Sequence, residues 1–285
     1  MASDGADGET GDPVVVREVE CRTVLNRSSF GGYSTNCYTG CRHGCVYCYA
    51  RFMQRFHPHP EPWGQFVDVK VNAVSALRRQ LKRARPGSVF VSSACDGWQP
   101  LEKQWELTRE CCRLLTEHGF AVHALTKRPL VLRDLDVFRP GLSRVGTTIT
   151  TPDARLARLW EPECVTPEDR WGILRAAHRA GLETSVMFGP LLPELSDTQE
   201  ALDELFSRAA DVGVDVVWVD ALNPRPRVWP SVAALLRRAF SDLHERYSRL
   251  LHDKSARGTY LHDLGGRVRR TAEAHGLADR LAGCP

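Results

Sequence analysis

The run Asn36-Cys-Tyr-Thr-Gly-Cys-Arg-His-Gly-Cys-Val-Tyr-Cys-Tyr-Ala-Arg51 sets Cys41, Cys45 and Cys48 in a Cys-x3-Cys-x2-Cys triplet. Three soft thiolates on one short loop can hold three irons of a 4Fe-4S cubane, which leaves the fourth iron open to a substrate or cofactor. Gly40 and Gly44 flank the ligands, where a loop wrapped tightly around a cluster needs small residues and positive φ. Zinc is the competing metal, but it takes four closed ligands in two pairs, and no second Cys-x2-Cys or His-x3-His pair follows. Cys37, four residues before Cys41, fits no three-cysteine pattern with the right closing spacing and reads as a buried thiol or as one that supports the ligands from behind.

The spacing, together with the aromatic Tyr47 before the last cysteine, resembles the radical S-adenosylmethionine (SAM) superfamily. Within it, the chain is most similar to the spore photoproduct lyase-like branch. That likeness runs through Cys41-Arg-His-Gly-Cys-Val-Tyr-Cys-Tyr-Ala-Arg51, Ser93-Ala-Cys-Asp96, Leu101-Glu-Lys103, Thr126-Lys127, and Glu161-Pro162 followed by Arg170. The resemblance implies a 4Fe-4S cluster and SAM as cofactors, with a reductase, flavodoxin or ferredoxin as electron donor. SAM is then cleaved to methionine and a 5′-deoxyadenosyl radical that takes a hydrogen atom from substrate. A lysine in the Thr-Lys position contacts the SAM carboxylate in that branch, and a hydroxyl on the following strand helps to bind SAM; these carry over to Lys127 and Thr148. The branch's name implies a DNA photoproduct as substrate and a cysteine that returns hydrogen. Cys95 is the candidate here, although it is offset by two residues from the position expected of the donor. A small-molecule or nucleoside substrate is the favoured reading, and a non-enzymatic, metal-stabilised nucleic-acid-binding module is the rival.

These residues need a scaffold, and the chain supplies alternating patterns from residue 72 onward. Val74, Leu77 and Leu81 mark a helix, Ser88–Ala94 a buried strand, and Leu107, Cys111, Leu114 and Leu115 a second helix in which Cys111 is core packing. Strands follow at Phe120–Thr126, Arg144–Thr150, Leu182–Gly189 and Val214–Asp220. Between them, Thr166-Pro-Glu-Asp169 signals one helix start and Ser196 with Gln199 another. With a first short strand before Cys37, repeated β-then-α units predict a parallel sheet curled by right-handed crossovers into an incomplete (β/α)6 TIM-like barrel. A doubly wound open sheet is the competing α/β architecture. Val232, Leu235, Leu236, Phe240 and Leu243 predict a C-terminal helix packed on the barrel, with a second helix after Gly258.

Barrels carry their chemistry at the C-terminal ends of their strands. That rule selects Ser93, Cys95 and Asp96, then Thr126 and Lys127, then Thr148 and Thr150, and finally Asp220 and Asn223. An ammonium, an acid and several hydroxyls suit a ligand with a carboxylate, an amine, a ribose diol and an adenine, so Tyr47, Asp96, Lys127, Thr148 and Thr150 are the candidate cofactor contacts. Each has a plainer alternative: Lys127 beside Arg128 is also a solvated pair, the two threonines also suit a strand for packing, and Glu161 with Arg170 also reads as a structural ion pair. His57 and His59, spaced by prolines, read as surface residues rather than metal ligands.

Composition sets the outer bounds. A chain of 285 residues with 42% hydrophobic residues can bury one large core. The organisation expected is a disordered tail over 1–12, a barrel over 13–230 and a helical extension over 231–285. A net charge of +3 is too mild to require a nucleic-acid partner, and no apolar run approaches the roughly 20 residues of a membrane helix. The N-terminal stretch lacks the basic start and apolar core of a signal peptide, which predicts a reduced, cytoplasmic protein.

Overall fold

The computed structural model describes residues 14–28, 31–225 and 227–285; the tail expected over 1–12 lies outside them. Strands β1 (Val15–Val19), β2 (Leu25–Arg27), β3 (Tyr33–Thr35) and β4 (Tyr38–Thr39) precede the cysteine loop, and a 3-10 segment (Tyr49–Arg55) and β5 (Phe66–Lys70) follow it. Next come α1 (Ala73–Leu81), β6 (Ser88–Val91), α2 (Glu102–Trp105), α3 (Leu107–Glu117), β7 (Ala121–Thr126), β8 (Arg144–Thr148), α4 (Ala154–Trp160), α5 (Pro167–Arg179), β9 (Glu183–Leu191), α6 (Gln199–Val212) and β10 (Val216–Ala221). The chain ends with α7 (Trp229–Ala239), α8 (His244–His252), α9 (Lys254–Ala274) and β11 (Leu281–Gly283).

The large sheet runs β11-β10-β9-β8-β7-β6-β3-β2, and every neighbouring pair in it except β2 with β3 is parallel. Strands β3, β6, β7, β8, β9 and β10 thus lie side by side in chain order. A doubly wound sheet reverses its strand order at a switch point, and this one does not. The crossover helices α1, α3, α5 and α6 pack on one face, as crossovers of one hand require, and the sheet curls into an incomplete (β/α)6 barrel, which stops at β2 and β11 without closing.

Alternation along the strands sorts the two faces. Val89, Val122, Val145, Val186, Phe188 and Val217 are fully buried and point outward against helix residues such as Leu77, Cys111, Leu115, Leu202, Phe206 and Leu264. Cys111 therefore packs in the core as expected. The intervening residues Phe90, His123, Leu125, Thr148 and Met187 are only half-buried, because they line the concave face.

Several boundaries depart from the sequence reading. The α5 start carries the expected capping box, with Thr166 and Asp169 bonded reciprocally. The α6 cap is Thr198, whose hydroxyl accepts from Ala201 N at 3.3 Å, while Ser196 Oγ accepts from Leu192 N instead. Strand β8 ends at Thr148, so Thr150 belongs to the loop after it. Phe240 and Leu243 lie beyond α7, α8 was not anticipated, and Gly258 sits inside α9 rather than before it. His59 is not a surface residue: its side chain is 2% exposed. Its ring stacks on Phe66 with centroids 3.8 Å apart, and Nε2 meets the Asp68 carboxylate at 3.0 Å.

The small sheet β1-β5-β4 was also missed, and it supports the cysteine loop directly. Strand β4 runs straight into Gly40-Cys41, and a Cβ on Gly40 (φ 84°) would come within 2.5 Å of Phe66 O on β5. Only glycine permits that approach. Among the described residues no helix is long and apolar enough to cross a membrane.

Candidate iron-sulfur and cofactor site

Between β4 and the 3-10 segment, the cysteine loop folds into two tight turns, with Gly44 N donating to Cys41 O at 3.3 Å and Cys48 N to Cys45 O at 3.2 Å. Gly44, at φ 60°, supplies the left-handed residue that such turning needs. Neighbours brace the loop from outside. The buried Gln99 amide accepts from Arg42 N at 3.0 Å and donates to Gly40 O at 3.4 Å, and Arg51 Nη2 donates to Cys45 O at 3.1 Å. Arg51 Nε is buried and has no hydrogen-bond partner among the described residues.

The strand ends meet the loop as the barrel rule predicts. Asp96, after β6, is a junction: Oδ1 accepts from Thr126 Oγ1 (2.7 Å) and Trp98 N (2.9 Å), and Oδ2 accepts from Lys127 N (2.8 Å). It also lies 3.6 Å from Nδ1 of His43, which is buried on the cysteine loop. Burial pushes His43 down to about 4, and Arg128, whose Nε donates to His43 Nε2 at 3.1 Å, adds to that shift against the pull of Asp96. The imidazole is therefore neutral at pH 7, where it can accept that bond.

Lys127, at the end of β7, reaches into the mouth. Its Nζ lies 3.6 Å from Cys45 Sγ, 3.0 Å from Tyr47 Oη and 3.3 Å from Glu161 Oε1. The Cys45 thiol is lowered to about 7, first by the Cys164 thiol 3.8 Å away and then, against burial, by the Lys127 ammonium. Burial raises Cys48 to about 11 and Cys41 well above its usual range.

Behind Lys127 stands a buried polar network. Tyr47 Oη donates to Glu161, and Thr150 Oγ1 lies 2.9 Å from Tyr47 Oη, 3.1 Å from Glu161 Oε1 and 3.0 Å from Gly189 O. Glu161 pairs with Arg170, which also donates to Thr148 O (3.0 Å) and Val165 O (2.9 Å). Both partners are 1% exposed, so this is a structural ion pair. Burial alone would raise the Glu161 carboxyl, but Arg170 and then Lys127 hold it at about 2. Tyr47 and Thr150 thus spend their hydroxyls on Glu161, while Thr148 stays half-buried on the concave face.

Cys95 is buried beside Asp96, its Sγ 3.7 Å from Asn36 Oδ1, and burial pushes its thiol up to about 12. Asn36 also donates to Ser93 Oγ at 2.8 Å and accepts from Ala94 N at 2.8 Å, which ties the ends of β3 and β6 together. Cys37 faces away from the loop, 3.7 Å from Cys111 in the core. At the sixth parallel strand, Asn223 closes a turn onto Arg225 N (3.0 Å), and Asp220 is exposed. Sequence reasoning missed Gln99, Asn36, Arg51 and Cys164; nothing in their local spacing marks them, because only the fold brings them to the loop.

The donor set fits a 4Fe-4S cluster. Three thiols share one loop, glycine backs them where a Cβ has no room, and the cationic Lys127 and Arg51 stand by to balance thiolate charge.

A family model of the radical SAM superfamily matches residues 35–206, more than half of the chain. The protein belongs to the radical SAM superfamily, whose enzymes use a 4Fe-4S cluster and SAM and draw on an electron donor. It is 31% identical to an uncharacterized protein of Mycobacterium tuberculosis over 264 residues, covering 88% of this chain and 76% of the relative. An uncharacterized protein of Methanocaldococcus jannaschii is 30% identical over 194 residues, covering 67% and 73%. In fold the chain is similar to spore photoproduct lyase complexed with dinucleoside spore photoproduct (TM-score 0.68, 16% identity, 92% of this chain and 80% of that one). A mutant of that lyase with bound AdoMet and dinucleoside spore photoproduct gives a TM-score of 0.69 at 16% identity, covering 93% and 80%.

Proposed function

We propose that Cys41, Cys45 and Cys48 hold the cluster and that Lys127 and Thr148 bind SAM at the barrel mouth, with Asp96 positioning Lys127, for hydrogen abstraction from a small-molecule or nucleoside substrate. The observation that carries this reading is the meeting of the cysteine loop with Lys127, whose Nζ is 3.6 Å from Cys45 Sγ. The bound pair supplies one-electron cleavage of SAM to methionine and a 5′-deoxyadenosyl radical.

The chain's own residues do the rest. Lys127 offers an ammonium to the SAM carboxylate, and the Glu161–Arg170 pair with Tyr47 fixes the side of the mouth from which that ammonium projects. Asp96 holds Lys127 by its backbone N–H and so sets the end of β7. Thr148 contributes a hydroxyl from the next strand. The buried wall around the loop keeps water from a reactive intermediate. Cys95 keeps its S–H up to about pH 12, the state that a hydrogen donor must occupy.

Deuterium tracing tests the reading. The reduced protein, incubated anaerobically with SAM and an extract of cells grown in deuterated water, should yield 5′-deoxyadenosine carrying deuterium taken from a substrate. Only unlabelled 5′-deoxyadenosine, at a rate unchanged by the extract, would contradict substrate abstraction.

A further inference from the structure

The loop between α4 and α5 brings a further thiol to the cysteine loop. Cys164 Sγ lies 3.8 Å from Cys45 Sγ, 119 residues away in the chain, and has no other hydrogen-bond partner among the described residues. The approach is built from several tethers. Val46 N donates to Trp160 O at 2.9 Å, which ties the end of α4 to the cysteine loop, and Cys164 N donates to Glu161 O at 3.1 Å. On either side of Cys164 an arginine holds a carbonyl: Arg128 Nη2 donates to Glu163 O at 2.8 Å and Arg170 Nη2 to Val165 O at 2.9 Å. Arg170 is itself fixed by its buried pairing with Glu161. With the backbone held, one side-chain torsion sets the place of the sulfur. Cys164 packs there against the apolar cluster of Cys45, Tyr47 and Trp160.

Cys45 is singled out among the three loop cysteines. Cys41 meets the backbone N–H of Asp96, and Cys48 that of Ala50. Cys45 meets two side chains instead, the Cys164 thiol and, at 3.6 Å, the Lys127 ammonium. A cysteine that ligates iron has given up its proton, so the hydrogen between these two sulfurs can come only from Cys164.

We infer that Cys164 is a positioning residue that acts on the cluster through Cys45: it ligates no iron, donates its S–H to the ligating thiolate and makes the cluster easier to reduce. An added electron makes the cluster and its thiolates more negative, and a hydrogen bond to a ligating sulfur favours the more negative state. The same bond makes the reduced cluster a weaker reductant. Cys164 thus sets the balance between taking an electron from a donor and passing it on. The inference rests on the ligand set proposed above, to which it adds control of the cluster's potential.

Potentiometric titration tests it. Wild-type, Cys164→Ala and Cys164→Ser proteins are reconstituted and poised anaerobically at stepped potentials without SAM, and the reduced fraction is read from the visible absorption and the EPR signal. All three should hold about four irons and four sulfides. At the wild-type midpoint, the ratio of reduced to oxidised cluster should fall several-fold in Cys164→Ala, up to about tenfold, which is a midpoint ~59 mV more negative for a one-electron couple. Cys164→Ser should restore most of the loss, because a hydroxyl on the same backbone also donates. Should the Ala variant fail to fold, Cys164→Val, which fills the space without a donor, takes its place in the comparison. An unchanged midpoint in the apolar variant, or an equal shift in Cys164→Ser, would overturn the inference and reduce Cys164 to packing. Loss of iron from folded Cys164→Ala would also overturn it, since Cys164 would then be a ligand. Cys45→Ala is measured in parallel: a cluster retained there refutes the ligand set itself, and a cluster lost there upholds that set whatever the potentials show.

Discussion

Lys127 Nζ and Cys45 Sγ stand 3.6 Å apart although 82 residues separate them in the chain. The contact joins the end of the third parallel strand to the middle of the cysteine loop. An ammonium there favours the thiolate over the thiol at Cys45, and in the proposed reading it also meets the carboxylate of SAM.

Lys127→Ala should therefore weaken SAM binding by about 1.5–3 kcal/mol, on the order of ten- to hundredfold, the usual loss of a charge-assisted contact. Equilibrium binding to the reconstituted protein checks this. Unchanged affinity would remove Lys127 from the cofactor site.

The cluster prediction separates three cysteines from the rest. Replacing Cys41, Cys45 or Cys48 by Ala should each abolish the broad visible absorption of the reconstituted protein. Cys37→Ala and Cys164→Ala should keep it, because Cys37 packs on Cys111 and the three loop thiolates are the complete ligand set of the account. Iron and sulfide analysis of the same samples gives about four of each where the cluster is intact.

The buried ion pair behaves differently from an ordinary surface contact. Arg170→Met leaves the buried Glu161 with Lys127 as its remaining cationic partner, at a cost of about 3 kcal/mol. Glu161→Gln combined with Arg170→Met should recover much of that loss, as measured by urea denaturation. Equal instability of the single and double variants would show that the pair does not act as a unit.

A further prediction concerns acid. The native His43 pKa, about 4, lies below its ordinary 6.5, so the unfolded chain takes up the proton first as pH falls. Stability from the neutral imidazole is complete above pH 6.5 and is lost on acidification toward pH 4, by up to about 3 kcal/mol. Urea midpoints recorded across that window should slope less in His43→Asn than in the wild type.

How much of this was readable in the chain depends on the range of the signal. The six parallel strands and the α5 start were legible because periodic apolar residues and a Thr-x-x-Asp cap are local patterns. The β4–β5 pairing was not, since β4 has two residues and shows no period. The α6 cap was misplaced by two positions because Ser196 and Thr198 both carry a hydroxyl, and only the fold engages Ser196 with Leu192 instead. His59 looked like a surface residue among prolines, yet β5 supplies an aspartate and a phenylalanine that bury it. For the site, the cysteine triplet and the strand-end Lys127 and Asp96 were visible. The contacts of Gln99, Arg51 and Cys164 with the loop are tertiary and leave no trace in spacing.

The central claim is that the Cys41–Cys45–Cys48 loop and the adjoining mouth bring SAM to reductive cleavage. Its most direct test is the amount of 5′-deoxyadenosine and methionine released from SAM by the reconstituted, dithionite-reduced protein under anaerobic conditions. The account predicts equimolar release of both products by the wild type and none by Cys45→Ala. Intact SAM after incubation with wild-type protein that holds about four irons and four sulfides would contradict it.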